Sequence, residues 1–216
     1  MAKLKHLASL ALVLSFFPIA VNACVGAVRI TCINTFTTLE KFVDCLDPYT
    51  VPPNFYDAPC YKAAQPSTSE ITAWNNAIQN MLTSGCPPGP PVPVLGLSLD
   101  YTIARVTEPG YSWCILSEAN TYADRRVYRR GWGFVVTPAD PVNGVIRDLH
   151  FSAPHPSSDE NTPIQAAALF KMTGAKSLVV TGRHRKAYAI PSLCVVPSPP
   201  DVYYKTDAAH DNVSAL

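Results

Sequence analysis

Apolar residues recur in two rhythms along this chain, and the rhythm changes near its middle. Between residues 37 and 85 they return at helical spacing. Thr37-Thr38-Leu39-Glu40 has the form of a capping box, in which a hydroxyl at a helix start and an acid three residues on satisfy each other's backbone N–H groups. Phe42, Val43 and Leu46 follow as a short apolar face. Ser67-Thr68-Ser69-Glu70 repeats the device ahead of Ile71, Trp74, Ile78, Met81 and Leu82, and Gly85 stops the run. Residues 49–59 lie between, and with Pro52, Pro53 and Pro59 they read as loop. Beyond a proline-rich stretch the pattern turns to strands. Residues 98–106, 112–116 and 132–137 are rich in β-branched and aromatic side chains, with turns at Pro109-Gly110 and 138–143.

The segment 145–181 is the most specific. Residues 145–153 read as a strand and 154–161 as a polar loop. Thr162-Pro163-Ile164-Gln165 opens a helix that runs to Gly174, and 176–181 is again β-rich. Strand, loop, helix and strand in that order make a βαβ unit, whose two strands pair in parallel. The expected fold is α/β: a mixed sheet with at least one βαβ unit, preceded by a disulfide-linked helical segment.

Composition adds a compartment. Lys3 and Lys5 precede an apolar run over residues 7–21 that ends in Val21-Asn22-Ala23, the form of a secretory signal peptide. The expected organisation is a signal peptide at 1–23, a cysteine-rich helical segment at 24–86, a proline-rich linker at 87–94 and an α/β domain at 95–216. In an oxidising compartment Cys24, Cys32, Cys45, Cys60, Cys86 and Cys114 can form three disulfides of unspecified pairing, which leaves Cys194 odd. Asn212-Val213-Ser214 is an acceptor sequon, so a glycoprotein is expected. Seventeen Lys and Arg against 16 Asp and Glu give a formal charge of +1, without the basic excess that nucleic-acid binding requires. No second apolar segment is long enough for a membrane span.

Beyond residue 23 the histidines are His150, His155, His184 and His210. His155 follows the first strand of the βαβ unit and His184 the second, so both should reach the rim where open α/β sheets bind ligands. His150 alternates with its neighbours inside the strand and reads as a satisfied strand residue. His155 offers an imidazole, and Asp159 or Glu160 a carboxylate four or five residues on; the segment 206–211 offers another histidine, His210. Two imidazoles and a carboxylate with a fourth position open describe a catalytic Zn2+ site. Arg183 and Arg185, flanking His184, form a candidate clamp for a substrate carboxylate, since guanidinium binds carboxylate in a two-pronged fashion. Arg125, Arg126, Arg129 and Arg130 read as a solvated basic run.

The string Ala153-Pro154-His155, with Asp159 three residues before Thr162 and Thr206-Asp207-Ala208-Ala209-His210 later, resembles phage and bacterial poly-γ-glutamate hydrolases, small relatives of the zinc carboxypeptidases. That resemblance implies a metal held by His155, Asp159 and His210. It also implies a general-base glutamate well beyond the second histidine, where this sequence has only six residues. The base then falls to Glu160 or Asp207, or the chain is a truncated, inactive product. The stretch from Gly131-Trp132-Gly133 through residues 147–156 to His210 also resembles a family of secreted fungal proteins of unassigned activity.

These features lead to the expectation of a secreted, Zn2+-dependent hydrolase of amide or peptide-like bonds. Arg183, His184 and Arg185 would meet a small-molecule or peptide-like substrate. A non-catalytic secreted surface or interaction protein on the same scaffold is the alternative. A third reading takes Arg183-His184-Arg185 and His210-Asp211 as similar to histidine-phosphatase motifs, with His184 taking up phosphate.

Overall fold

The computed structural model describes residues 24, 27–32, 37–97, 100–195, 198 and 200–211. The expected signal peptide and the Asn212 sequon lie outside them. Among the described residues no helix is long and apolar enough to cross a membrane.

The helical elements come first. α1 (Leu39–Leu46) starts one residue later than the capping pattern suggests: Thr38, in extended backbone, accepts from Lys41 N. Its Leu39, Phe42, Val43 and Leu46 are buried, so the face read from the sequence is the face that packs. α2 (Ala58–Ala64) occupies part of the stretch expected to be loop. Asp57 caps it by accepting from Cys60 N at 2.8 Å, and Pro59 falls in the first turn, where a missing N–H costs nothing. α3 (Thr68–Ser84) carries the complete Ser67–Glu70 capping box and ends at Gly85 with φ 71°.

The strands are β1 (Val28–Arg29), β2 (Val92–Pro93), β3 (Tyr101–Glu108), β4 (Tyr111–Glu118), β5 (Asn120–Thr121), β6 (Phe134–Pro138), β7 (His150–Ala153) and β8 (Ser177–Val180). β1 and β5 form a small ribbon, and the other six form one sheet in the order β2-β3-β4-β6-β8-β7. All its pairings are antiparallel except β7 with β8, where Phe151 faces Leu178 and Ala153 faces Val180. α4 (Thr162–Thr173) joins those two, so the mixed sheet and its βαβ unit are as expected.

Alternation along the strands sends side chains to two cores. Val106, Trp113, Ile115, Phe134, Val136, Leu178 and Val180 pack with α1 and α4, while Tyr101, Cys114, Leu116 and Val135 pack with Trp74 and Met81 of α3. A sheet clothed on both faces explains why β4 and β6 read as near-continuous apolar runs. Gly133 shows how closely the backbones approach. Its φ is +88°, and a Cβ there would lie 1.9 Å from Val180 O, so only glycine fits.

Three sequence readings change. The proline-rich segment is not a free linker, because Val92 and Pro93 pair with Ile103 and Thr102 as an edge strand of the sheet. Residues 145–149 are loop, since Ile146 N and Arg147 N both bond to Gly174 O at the end of α4 rather than to a strand. Arg129 and Arg130 are not simply solvated. Arg129 pairs with Asp100 at 2.8 Å, and Arg130 pairs with Glu70 of α3 at 2.6 Å while lying over the Trp132 ring.

The disulfides are Cys24–Cys60, Cys32–Cys45 and Cys86–Cys114. Cys194 belongs to none of them, and its Sγ lies 3.6 Å from Asp211 Oδ1. The Cys86–Cys114 bridge ties the end of α3 to the central strand β4 across 28 residues of chain. Loop-closure entropy for that length puts its contribution at about 3.5 kcal/mol. The double variant Cys86→Ala/Cys114→Ala is therefore expected to lower the unfolding free energy by roughly that amount in denaturant titration, and unchanged stability would refute the assignment.

Candidate metal centre

The ends of β7 and β8 are locked together, and this places the loops that follow them on one rim. Thr181 N bonds to Ala153 O, and Thr181 Oγ1 donates to Pro154 O at 2.8 Å. After β7 the chain turns tightly. Ser158 N and Asp159 N both bond to His155 O, and Thr162 donates through N and Oγ1 to Asp159 O. Ser157 (φ 57°), within this turn, and Asn161 (φ 62°), after it, stand in the left-handed region, a conformation uncommon outside glycine and favoured for asparagine. α4 then begins without a side-chain cap, because Asn161 rather than Thr162 occupies that position.

After β8, the loop carrying Arg183, His184 and Arg185 is fixed to the helical segment: Val51 N bonds to Gly182 O and His184 N to Val51 O. Thr206 bolts the C-terminal segment onto it by donating to Arg185 O at 2.9 Å and accepting from Tyr188 N at 3.1 Å. From Thr206 the chain makes one helical turn, with His210 N and Asp211 N both bonded to Asp207 O. Residues three apart in such a turn share a face. Asp207 and His210 therefore point the same way, toward His155.

His155 Nε2 lies 2.9 Å from Asp207 Oδ1, and His210 Nδ1 lies 3.0 Å from the same oxygen. One donor atom from each residue lies within 4.8 Å of the other two. Asp207 is the buried member, with 3% of its side chain exposed against 11% for His155 and 31% for His210. Burial alone would raise its carboxyl pKa, but the two imidazoles outweigh that and hold it below the ordinary carboxylate value. His210 Nδ1 is itself buried and meets Asp207 Oδ1 at 3.0 Å in an ion-pair contact rather than a well-aligned hydrogen bond. A buried nitrogen turned toward a carboxylate and a second imidazole is suited to hold a cation. Tyr203 stacks on the His210 ring at 3.7 Å and fixes its plane.

The expected pair of histidines is thus brought together, and Asp207 stands where Asp159 was expected. Asp159 lies on the other side of the His155 ring, with Oδ2 3.3 Å from Nδ1, so it cannot share a cation with Nε2. Asp207, expected as a base, is instead a candidate ligand. Glu160 is exposed and makes no hydrogen bond or ion pair among the described residues. The signal for Asp207 is legible in the sequence: Asp-x-x-His is the spacing of one helical turn.

The three candidate substrate residues separate. Arg185 lines a polar cavity of about 320 Å³ together with Lys186, Tyr203, Tyr204 and Asp207. Arg183 does not line it. Its residue is only 2% exposed, and its charge acts on the Tyr56 and Tyr61 hydroxyls, so a role in clamping substrate is corrected. His184 is committed on both ring nitrogens. Lys186 N donates to Nδ1 at 2.9 Å, so the proton sits on Nε2, which donates to Ser158 Oγ at 2.7 Å. Burial first, then Arg185, Lys186 and His155, lower its pKa and favour the neutral ring. In that arrangement His184 neither takes a proton from Ser158 nor offers a lone pair to phosphate, which speaks against the phosphatase reading. Nothing in the sequence sets Ser158 apart from Ser157, so its contact with His184 emerges only from the fold. His150 is a strand histidine as expected, bonded to Ser177 Oγ at 2.6 Å.

Comparison of the chain with protein-family models, with curated proteins and with solved structures finds no match.

Proposed function

We propose that the protein is a secreted, metal-dependent hydrolase of amide or peptide-like bonds, with Zn2+ held by His155, Asp207 and His210. The observation that carries this reading is the convergence of two imidazole nitrogens on one buried carboxylate oxygen. The donor set suits zinc: two borderline nitrogen ligands and one carboxylate, the latter on the wall of the cavity that Arg185 lines. Zinc so held supplies a Lewis acid and brings the pKa of bound water toward about 7. The three disulfides among the described residues fit an oxidising compartment and support export.

The chain's own residues do the rest. Asp207 offsets the charge of the ion, and burial keeps its oxygen from wandering to solvent. Arg185 and Lys186, on the wall of the adjoining cavity, receive the anionic end of a substrate. Glu160, uncommitted and on the same loop as His155, is the carboxylate left to accept a proton from attacking water. The amide specificity rests on the resemblance of the His155 and His210 motifs to poly-γ-glutamate hydrolases.

Elemental analysis of the purified protein tests this reading. One zinc per chain is expected, lost in His155→Ala, together with cleavage of glutamyl peptides that stops on chelation and returns with added zinc. A folded protein that takes up no zinc overturns it and leaves the non-catalytic scaffold.

A further inference from the structure

The Asp159 carboxylate is left without a place in the ion's coordination, yet the chain takes trouble to position it. Its backbone is held at three points: N donates to His155 O at 3.0 Å, and O accepts from both Thr162 N and Thr162 Oγ1. The bond from Asp159 N back to His155 O closes a tight turn, and across it the Asp159 carboxylate meets the His155 ring. Left-handed backbone at Ser157, inside the turn, and at Asn161, just beyond it, lets the chain reverse this tightly. The neighbouring Ser158 is tied to His184 on the opposite loop, which fastens the turn from its other side. The outcome is Asp159 Oδ2 at 3.3 Å from His155 Nδ1, while Nε2 of the same ring faces Asp207.

An imidazole that gives its Nε2 lone pair to a cation must carry its proton on Nδ1, and that proton needs an acceptor. We infer that Asp159 is a positioning residue, whose carboxylate accepts the Nδ1 proton of His155 and so directs the Nε2 lone pair at the cation shared with Asp207 and His210. This assignment rests on the metal reading above. It separates two acids that resemble each other in sequence: Asp207 would touch the ion, and Asp159 would act only through His155. About half of the Asp159 side chain is exposed, so its contribution is orientation rather than buried charge.

Outer-sphere partners of this kind are worth about 10- to 100-fold in metal affinity. Zinc competition against a chromophoric chelator is therefore expected to show Asp159→Asn and Asp159→Ala binding zinc roughly 10- to 100-fold more weakly than the wild type. Asp159→Glu, which restores an acceptor, should recover part of that loss. In the zinc-loaded wild type, 15N-resolved NMR should place the His155 proton on Nδ1, and in Asp159→Ala that proton should exchange faster with water. A purely structural role at the start of α4, where an acid favours the helix dipole, would change the melting temperature of Asp159→Asn and leave zinc affinity and the His155 spectrum untouched. That outcome overturns the inference while the metal centre stands. A wild type that binds no zinc overturns both.

Discussion

Asp207→Ala is expected to abolish zinc binding, and with it zinc-dependent hydrolysis, in a chain that still folds. Asp207 Oδ1 is the atom on which both imidazoles converge. Without it two nitrogens face an emptied polar pocket, and no other carboxylate among the described residues lies within reach of both. The loss should exceed the about 10- to 100-fold assigned to an outer-sphere partner, because a ligand itself is removed. Folding survives for a physical reason. The segment is pinned through Thr206 to Arg185 and Tyr188, and through the Tyr61 hydroxyl to Lys205 O, so it stays in place although Ala209 N loses its bond to Asp207 Oδ1. His155 loses one hydrogen-bond partner, a cost of about 1–3 kcal/mol. Zinc competition and circular dichroism on the same sample check the two halves. Wild-type affinity in the Ala variant would remove Asp207 from the centre.

Glu118→Gln is expected to abolish much of the dependence of stability on pH between about 4.5 and 8. Glu118 ends β4 fully buried, where its two carboxyl oxygens accept from Arg130 N and Gly131 N. Burial pushes its pKa up to about 8 from 4.5, against the pull of those two N–H groups, and Asp100 nearby adds to the rise. Tyr56, Tyr101, Tyr122 and Tyr128 crowd the same carboxyl. Because the folded value lies above the unfolded one, the native state binds more protons than the unfolded state between them. Its contribution to stability is therefore full below the unfolded pKa and declines as pH rises through that window. The decline is on the order of a few kcal/mol, since every tenfold difference in proton affinity between the folded and unfolded chain is worth about 1.4 kcal/mol. Asp207 acts with the opposite sign: held below its ordinary value of 3.8, it stabilises at higher pH and loses that effect as acid protonates it. Gln cannot titrate, and one of its two donors would face a backbone N–H, so the variant should be less stable at pH 5 and have a flatter profile. Urea unfolding at several pH values decides it. A parallel decline in both proteins would show that Glu118 keeps an ordinary pKa.

How legible these features are in the sequence depends on whether they arise from short-range or long-range geometry. The Ser67–Glu70 capping box, the periodic face of α1 and the βαβ unit around α4 all rest on neighbours within a few residues, and they appear where the pattern puts them. α2 is hidden because Pro59 reads as a breaker, although the same residue is harmless in a first turn. The edge strand at Val92–Pro93 is hidden because its pairing with β3 is what makes it a strand. At the site, the structure brings His155 and His210 together around Asp207. The Asp207-x-x-His210 spacing is visible in the sequence, but which acid meets which nitrogen of the His155 ring depends on the fold. Arg183 and Arg185 look alike in sequence, and only the course of the loop after β8 buries Arg183 and leaves Arg185 partly exposed on the cavity wall.

Pro93 in the outermost strand has one more consequence. Sheets grow when a foreign extended chain finds a row of amide donors along a free margin. Pro90, Pro91 and Pro93 supply none, so recruitment of another molecule along β2 is blocked by covalent structure rather than by charge or by a covering helix. Along this margin the stop is independent of salt and pH, whereas β7 forms the opposite margin of the sheet.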